Sequence, residues 1–319
     1  MRSRALLVTF VLLFGLLLTP TATATRDGGA RVVHTERLSD RLIELTVRSE
    51  AVGRDVGVRL LLPADWDRFP RREWPTLYLL HGCCDGDTGY RSWTDRTDVE
   101  QLTADKDVLV VMPEAGPVGF YSDWLYGPAW ETFHLRELRR LLEHRYRSGD
   151  DRAVAGLSMG GFGALSYAAR HPGFFEAAAS FSGVVHTTYN GAESTSLVQG
   201  LVEGAGHDRD ALWGDPVADA RTWARHNPYD LAKRLRGTPV YLSAGNGQPG
   251  PLDPPDAAPD GLEELLGEQS VALAAKLRSA HVPLWTDFYG PGRHAWPYWE
   301  RALHRSFPML EHAMCGWRC

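Results

Sequence analysis

Ala153-Val154-Ala155-Gly156-Leu157-Ser158-Met159-Gly160-Gly161 is the stretch on which the fold turns. Ala153 to Gly156 reads as a short apolar strand end, and Gly161 to His171 carries a helical period. The residues between them therefore turn the chain from strand to helix in a single step. Such a turn crowds its own backbone, and the pattern G-x-S-x-G puts glycine on both flanks of Ser158. A serine held in this way stands at the start of the helix in a strained conformation, with its hydroxyl presented as a nucleophile. The plainer alternative is a serine that only caps the helix.

Working outward, strand-like runs recur at Leu42 to Val47, Val56 to Leu62, Thr76 to Leu80, Val108 to Met112, Ala177 to Phe181, Val240 to Ala244 and Leu284 to Tyr289. With the strand at Ala153 they predict about eight strands. Helical periods lie between several of them, at Glu131 to Tyr146, Gly161 to His171, Thr222 to Leu235, Leu262 to Ala280 and Tyr298 to His312. This alternation predicts an α/β fold with a mostly parallel central sheet and helices on both faces. The short polar link Arg48 to Asp55 predicts an antiparallel hairpin at its start. Gly183 to Asp219 reads as a long insertion without a clear period, and Gln248 to Gly261 holds five prolines.

A serine at its ordinary pKa is a weak nucleophile, so a base has to sit within hydrogen-bond reach and a carboxylate has to orient that base. In the strand–elbow–helix arrangement the chain order is Ser, acid, His. His294 follows the last strand in a glycine-rich loop and precedes a C-terminal helix, which makes it the candidate base. His171, His281, His304 and His312 fall within or beside regular elements. The segment after Val240 to Ala244 supplies the acid candidates Asp253, Asp256, Asp260, Glu263 and Glu264; a place soon after the strand points to Asp253, a glutamate at the following helix start is the alternative, and spacing alone does not decide between them. Acyl transfer also needs donors for a developing oxyanion. The N–H of Met159, next after the serine, is one. The N–H of Cys83, in the loop after Tyr78-Leu79-Leu80-His81-Gly82, is the other.

Composition narrows the partners. The 319 residues carry 34 Lys and Arg against 40 Asp and Glu, a net charge of -6 with no basic block, which argues against a nucleic-acid partner. Arg2 and Arg4 precede an apolar run from Ala5 to Leu18, and small residues end at Ala24. Residues 1–24 read as a secretory signal peptide and 25–319 as a single domain; the run would span roughly 21 Å as a helix, short of the roughly 30 Å of a bilayer core. The expectation is a secreted protein, without stable membrane insertion and in some association with the cell wall. The four cysteines, Cys83, Cys84, Cys315 and Cys319, allow three pairings, among them a small C-terminal loop. No metal-ligand spacing occurs, so neither a metal nor a cofactor is expected.

Several motifs then match one family in order. They are Tyr78 to Gly82, Val111-Met112-Pro113, Phe120-Tyr121-Ser122-Asp123-Trp124, Trp130-Glu131-Thr132-Phe133, Gly156 to Met159, Gly245-Asn246-Gly247 and His294-Ala295-Trp296-Pro297-Tyr298-Trp299. On these the chain resembles the esterase D and antigen 85 family of secreted α/β-hydrolases over nearly all of its mature length. The resemblance implies an α/β-hydrolase fold and places the family's catalytic glutamate on Glu263, with Glu264 one register away. It implies a serine acyl-enzyme that passes an acyl group from a small, lipid or sugar ester to water or to a sugar or glycerol hydroxyl. Trp296 and Trp124 are the candidate aromatic walls for substrate, with core packing as the alternative role. The antigen 85 mycolyltransferases have Asp where His81 stands, a different stretch in place of Cys83-Cys84-Asp85, and a cysteine pair near Trp130 that this chain lacks. Two further readings are a carbohydrate-deesterifying feruloyl or acetyl esterase and a non-catalytic wall-binding member.

Overall fold

A computed structural model describes residues 29–84 and 86–316. The segment read as a signal peptide lies outside the described residues, as do Asp85 and Cys319. Nine strands form one sheet: β1 (Ala30–Arg37), β2 (Leu42–Ser49), β3 (Asp55–Leu61), β4 (Trp74–Leu80), β5 (Leu109–Pro113), β6 (Ser148–Leu157), β7 (Ala177–Phe181), β8 (Val240–Ala244) and β9 (Leu284–Phe288). Their order is β1-β2-β3-β5-β4-β6-β7-β8-β9. The first three strands and the β3–β5 contact are antiparallel, and from β5 to β9 every contact is parallel. This is the predicted α/β arrangement; the predicted antiparallel hairpin is β2–β3, and β1 lies outside it at the edge.

The expected strand count was one short. β1 lies at the edge with most of its residues exposed, so it leaves no run of apolar residues to read. The central strands do the opposite. β7 and β8 are buried at every position and therefore read as short continuous apolar runs.

Alternate residues of the central strands face two separate cores. Val154 and Ala178 turn toward helices α1 (Met159–Arg170) and α3 (Gly261–Ser279), where Phe162, Leu165, Leu266 and Leu273 are buried. Ala153, Ala155 and Leu157 turn toward helix α4 (Trp296–Cys315), meeting Leu303, Phe307 and Leu310. Each fully buried leucine or phenylalanine stabilises the fold by roughly 1.5–3 kcal/mol relative to exposure.

Three predicted segments are corrected. Glu131 to Tyr146 is not one regular helix but carries a π-helical segment at Phe133–Leu138, within which His134 is fully buried. The predicted helix Thr222 to Leu235 is broken at Asn227, which is extended because Pro228 follows it. The insertion after Gly183 contains helix α2 (Ala192–Gly204). Its inner face mixes Val198 and Val202 with Ser194, Thr195 and Gln199, which masks the apolar period.

Candidate active site

Ser158 stands between β6 and α1 at φ 52°, ψ -118°, with 8% of its surface exposed. A non-glycine residue in that region is held by its surroundings. Its N–H is tied to the Phe181 carbonyl at 2.9 Å, and its carbonyl accepts from Phe162 at 3.1 Å and Val184 at 3.3 Å. The flanking glycines are sterically required: a Cβ on Gly156 would fall on the Gly160 backbone, and one on Gly160 on the Leu80 carbonyl, 2.6 Å from the His81 carbonyl oxygen. The elbow is thus wedged against the end of β4.

The next strand ends are stitched side by side. Ser182 N donates to the Ser243 carbonyl at 2.7 Å, and Asn246 N to the Gly290 carbonyl at 2.8 Å. That seam brings the start of α3 against the loop after β9, where His294 Nδ1 donates to Glu263 Oε2 at 2.8 Å. Glu263 is 0% exposed. Its Oε1 accepts from Gly245 N at 2.7 Å, Ser182 Oγ at 2.8 Å and Tyr289 Oη at 3.4 Å. Burial and the adjacent Glu263 carboxylate raise the Tyr289 phenol, which stays a donor to it. Among the hydrogen bonds of the described residues none joins the Ser158 hydroxyl to His294.

The other acid candidates have different partners. Glu264 is exposed on the outer side of α3. Asp253 accepts from Tyr298 Oη at 2.8 Å and Gly250 N at 2.8 Å, and so braces its own loop. Asp260 caps α3 through the amides of Leu262 at 3.1 Å and Glu263 at 3.2 Å, and its other oxygen takes the His294 amide at 3.1 Å. Burial pushes the Asp260 carboxyl up, but the amides of His294 and Glu263 outweigh it and hold it below the usual carboxylate range. Asp260, Ser182 and Tyr289 hold Glu263 and His294 in place, and sequence reasoning did not assign them that part. The spacing of Asp260 and Glu263, an N-cap and its third helical residue, was the available signal for one of them.

The loop after β4 reaches the elbow. A Cβ on Gly82 would lie 3.6 Å from Ser158 Cβ and 2.6 Å from Leu157 Cδ1, so Cys83 follows at a place where the backbone comes close to the serine. His81, buried beneath it, accepts the Ala115 N–H on Nε2 at 2.9 Å. A carbonyl can only accept, so Nδ1 carries a proton and donates it to the Gly82 carbonyl at 2.6 Å, while Nε2 also faces the buried Glu114 carboxylate at 3.5 Å. That carbonyl and the Cys83 N–H are opposite ends of one trans peptide. Anchoring one end into the core therefore aims the other outward. Met159, the first residue of α1, has an N–H without an intrahelical acceptor, and its Sδ accepts from Phe120 N at 3.4 Å.

Of the two predicted aromatic walls, Trp296 is half-buried, edge-on to Trp93 at 5.4 Å and Trp299 at 5.2 Å. Trp299 is the indole that meets His294, the two rings 4.8 Å apart. Trp124 is buried, gives its indole N–H to the Gly119 carbonyl at 3.0 Å, and borders a cavity of about 490 Å³ with Trp130 and His207. A cavity of about 640 Å³ beside α3 is bordered by Tyr189, Glu264, Val271 and Phe288. Neither cavity is lined by Ser158 or His294. Among the described residues no group of three His, Cys, Asp or Glu side chains is placed to share a metal ion, and no helix is long and apolar enough to cross a membrane.

A family model described as "Putative esterase" matches residues 49–310. Esterase Rv1288 of Mycobacterium tuberculosis is 37% identical over 237 residues, 69% of this chain and 49% of that protein, so the chain spans about half the length of that relative. The diacylglycerol acyltransferase/mycolyltransferase Ag85B of Mycobacterium leprae is 30% identical over 285 residues, 85% of this chain and 83% of that one. The crystal structure of Mycobacterium tuberculosis MPT51 shares the fold with a TM-score of 0.70 at 24% identity, covering 88% of this chain and 99% of that one.

Proposed function

The chain belongs to the esterase family, and from that premise we propose that it is a serine carboxylesterase or acyltransferase working through Ser158, His294 and Glu263. The observation that carries the reading is the 2.8 Å contact between His294 Nδ1 and the sealed Glu263 carboxylate. It fixes the imidazole tautomer with its proton on Nδ1 and leaves Nε2 free to act as a base.

In the proposed reaction Ser158 Oγ attacks an ester carbonyl while His294 Nε2 takes the hydroxyl proton. The tetrahedral oxyanion forms against the N–H groups of Cys83 and Met159. Collapse expels the alcohol, which takes the proton back from His294, and leaves an acyl-Ser158. A second hydroxyl, from water or from a sugar or glycerol, then enters the same cycle in reverse. Trp296 stands as a candidate wall for the acyl or sugar moiety. The ester is a small-molecule, lipid or sugar ester, and residues 1–24 are proposed to export the chain to the cell exterior or wall.

The test is product analysis with a short-chain p-nitrophenyl ester, glycerol and trehalose competing with water as acceptors. Chromophore release with an acylated polyol identifies a transferase, and release with free acid alone identifies a hydrolase. The Ser158→Ala variant is expected to lose activity by about four to six orders of magnitude while keeping its fold. Retention of full activity by that variant would remove the proposed mechanism, and absence of release from the unaltered protein would favour a binding member of the family.

A further inference from the structure

Cys83 and Cys84, neighbours in the sequence, are joined by a disulfide. The bond closes an eight-membered ring that contains the peptide between them. Torsion about the bond before the Cys83 carbonyl and torsion after the Cys84 nitrogen are both ring torsions, so neither turns freely. Cys84 sits at φ 77°, a region that side-chain-bearing residues rarely adopt in an open chain. Its N–H donates to the Pro117 carbonyl at 2.8 Å. The Cys83 side chain is half-buried against the core and Cys84 is exposed at the surface. The ring therefore occupies the residue that supplies the proposed oxyanion amide and the residue that tethers it, where a reagent in solvent can reach it.

We propose that the Cys83–Cys84 disulfide is a positioning element of the oxyanion site, and that opening it with a dithiol lowers turnover while leaving substrate binding intact. The proposal rests on the acyl-transfer reading above. His81 fixes the peptide on the N-terminal side of Cys83, and the ring fixes the one on its C-terminal side. With the ring open, Cys84 is free to leave φ 77° for the broad extended or helical regions, and the Cys83 amide loses its second support. In the opening step a thiolate of the dithiol attacks one sulfur, the S–S bond breaks, and the displaced sulfur takes a proton. The second thiol of the reagent then closes on the mixed disulfide. Two electrons and two protons pass to the protein, which gains two thiols, and the reagent leaves as a cyclic disulfide.

Cys315 is also disulfide-bonded, so the experiment uses the full chain carrying Cys315→Ser and Cys319→Ser, in which Cys83 and Cys84 form the pair open to reduction. Kinetics with a p-nitrophenyl ester are followed before and after dithiothreitol, with thiols counted by alkylation and mass spectrometry in parallel samples. Loss of one oxyanion donor costs about 100-fold to 1,000-fold in turnover, and a displaced donor is expected to cost about 10-fold or more, with KM changed less than about twofold. Reoxidation is expected to restore kcat. Cys84→Ala opens the ring without a reductant and is expected to show the same kcat loss; Cys84→Gly, which tolerates φ 77° without a ring, is expected to recover part of it. The proposal is overturned by full kcat in Cys84→Ala, by unchanged kcat once both thiols are released, by a loss confined to KM, or by two free thiols in the untreated protein. Hydrogen exchange at the Cys84 amide keeps the two readings apart. A protein without turnover refutes the acyl-transfer reading, whereas exchange that does not quicken on reduction refutes the positioning role.

Discussion

Glu263 shows how one side chain is made to serve another. Three donors crowd its Oε1 and leave Oε2 to the imidazole, so the carboxylate has no freedom to swing away from His294. Glu263→Gln preserves size but presents an amide that offers its oxygen to Nδ1–H only by turning its NH₂ toward the three donors of the other oxygen. On the proposed mechanism, turnover on a p-nitrophenyl ester is expected to fall by about 10⁴, as when the orienting carboxylate of a serine triad becomes an amide, with little change in KM; a fall of less than tenfold would mean that Glu263 does not orient a catalytic His294. Asp260 acts one step further out. Asp260→Ala removes a helix N-cap worth about 0.5–2 kcal/mol and the anchor of the His294 amide. It is expected to lower both the melting temperature and kcat, where a pure capping role would move only the first.

The elbow is an element whose geometry can be tested by adding one carbon. Gly160→Ala places a methyl group on the Leu80 carbonyl, and because the obstacle is backbone the neighbours cannot rotate away. A loss of about 1–3 kcal/mol or more in urea denaturation is expected. Gly261→Ala, at the open start of α3 with nothing within 4 Å of its added carbon, is expected to be neutral or slightly stabilising. The contrast also explains what the sequence made legible. Buried parallel strands and a glycine-flanked serine leave strong local signals, so strands β2 to β9 and the turn that carries Ser158 are legible from residues alone, while their order in the sheet is not. Edge strand β1, the π-helical segment at Phe133–Leu138 and helix α2 leave weak ones, because what holds them is contact across the fold. The same holds for the acid. Residue spacing alone leaves Asp253, Glu263 and Glu264 open and the family resemblance points to Glu263; the seam between β8 and the loop after β9 is what physically turns Glu263 to face His294. Sequence points to Trp296 rather than Trp299 for a similar reason: which of two indoles on one helix meets His294 depends on the rotation of α4 against the sheet.

Across the whole molecule, the core on the α1 and α3 side of the sheet buries imidazoles as well as apolar side chains, His134 against Phe133 and His226 against Trp213, and this ties stability to pH. His134 is fully buried: its Nε2–H donates to the Glu114 carbonyl at 2.8 Å, and its Nδ1 accepts from Tyr167 Oη at 2.8 Å. Burial pushes its pKa down to about 4, and burial together with nearby Arg170 pushes that of His226 down to about 3. In the unfolded chain both return to about 6.5. Below that value the unfolded state takes up protons that the folded state refuses, so stability is fully present above about pH 6.5 and declines as the pH falls toward the folded-state values. The slope for each buried imidazole approaches about 1.4 kcal/mol per pH unit, or about 2 kcal/mol lost by pH 5. Urea denaturation between about pH 7 and pH 5 should show this decline, and His134→Gln should flatten it by close to one proton's worth. Equal slopes in the two proteins would show that His134 is as easily protonated inside the fold as outside it, which its two hydrogen bonds, one given and one received, do not permit.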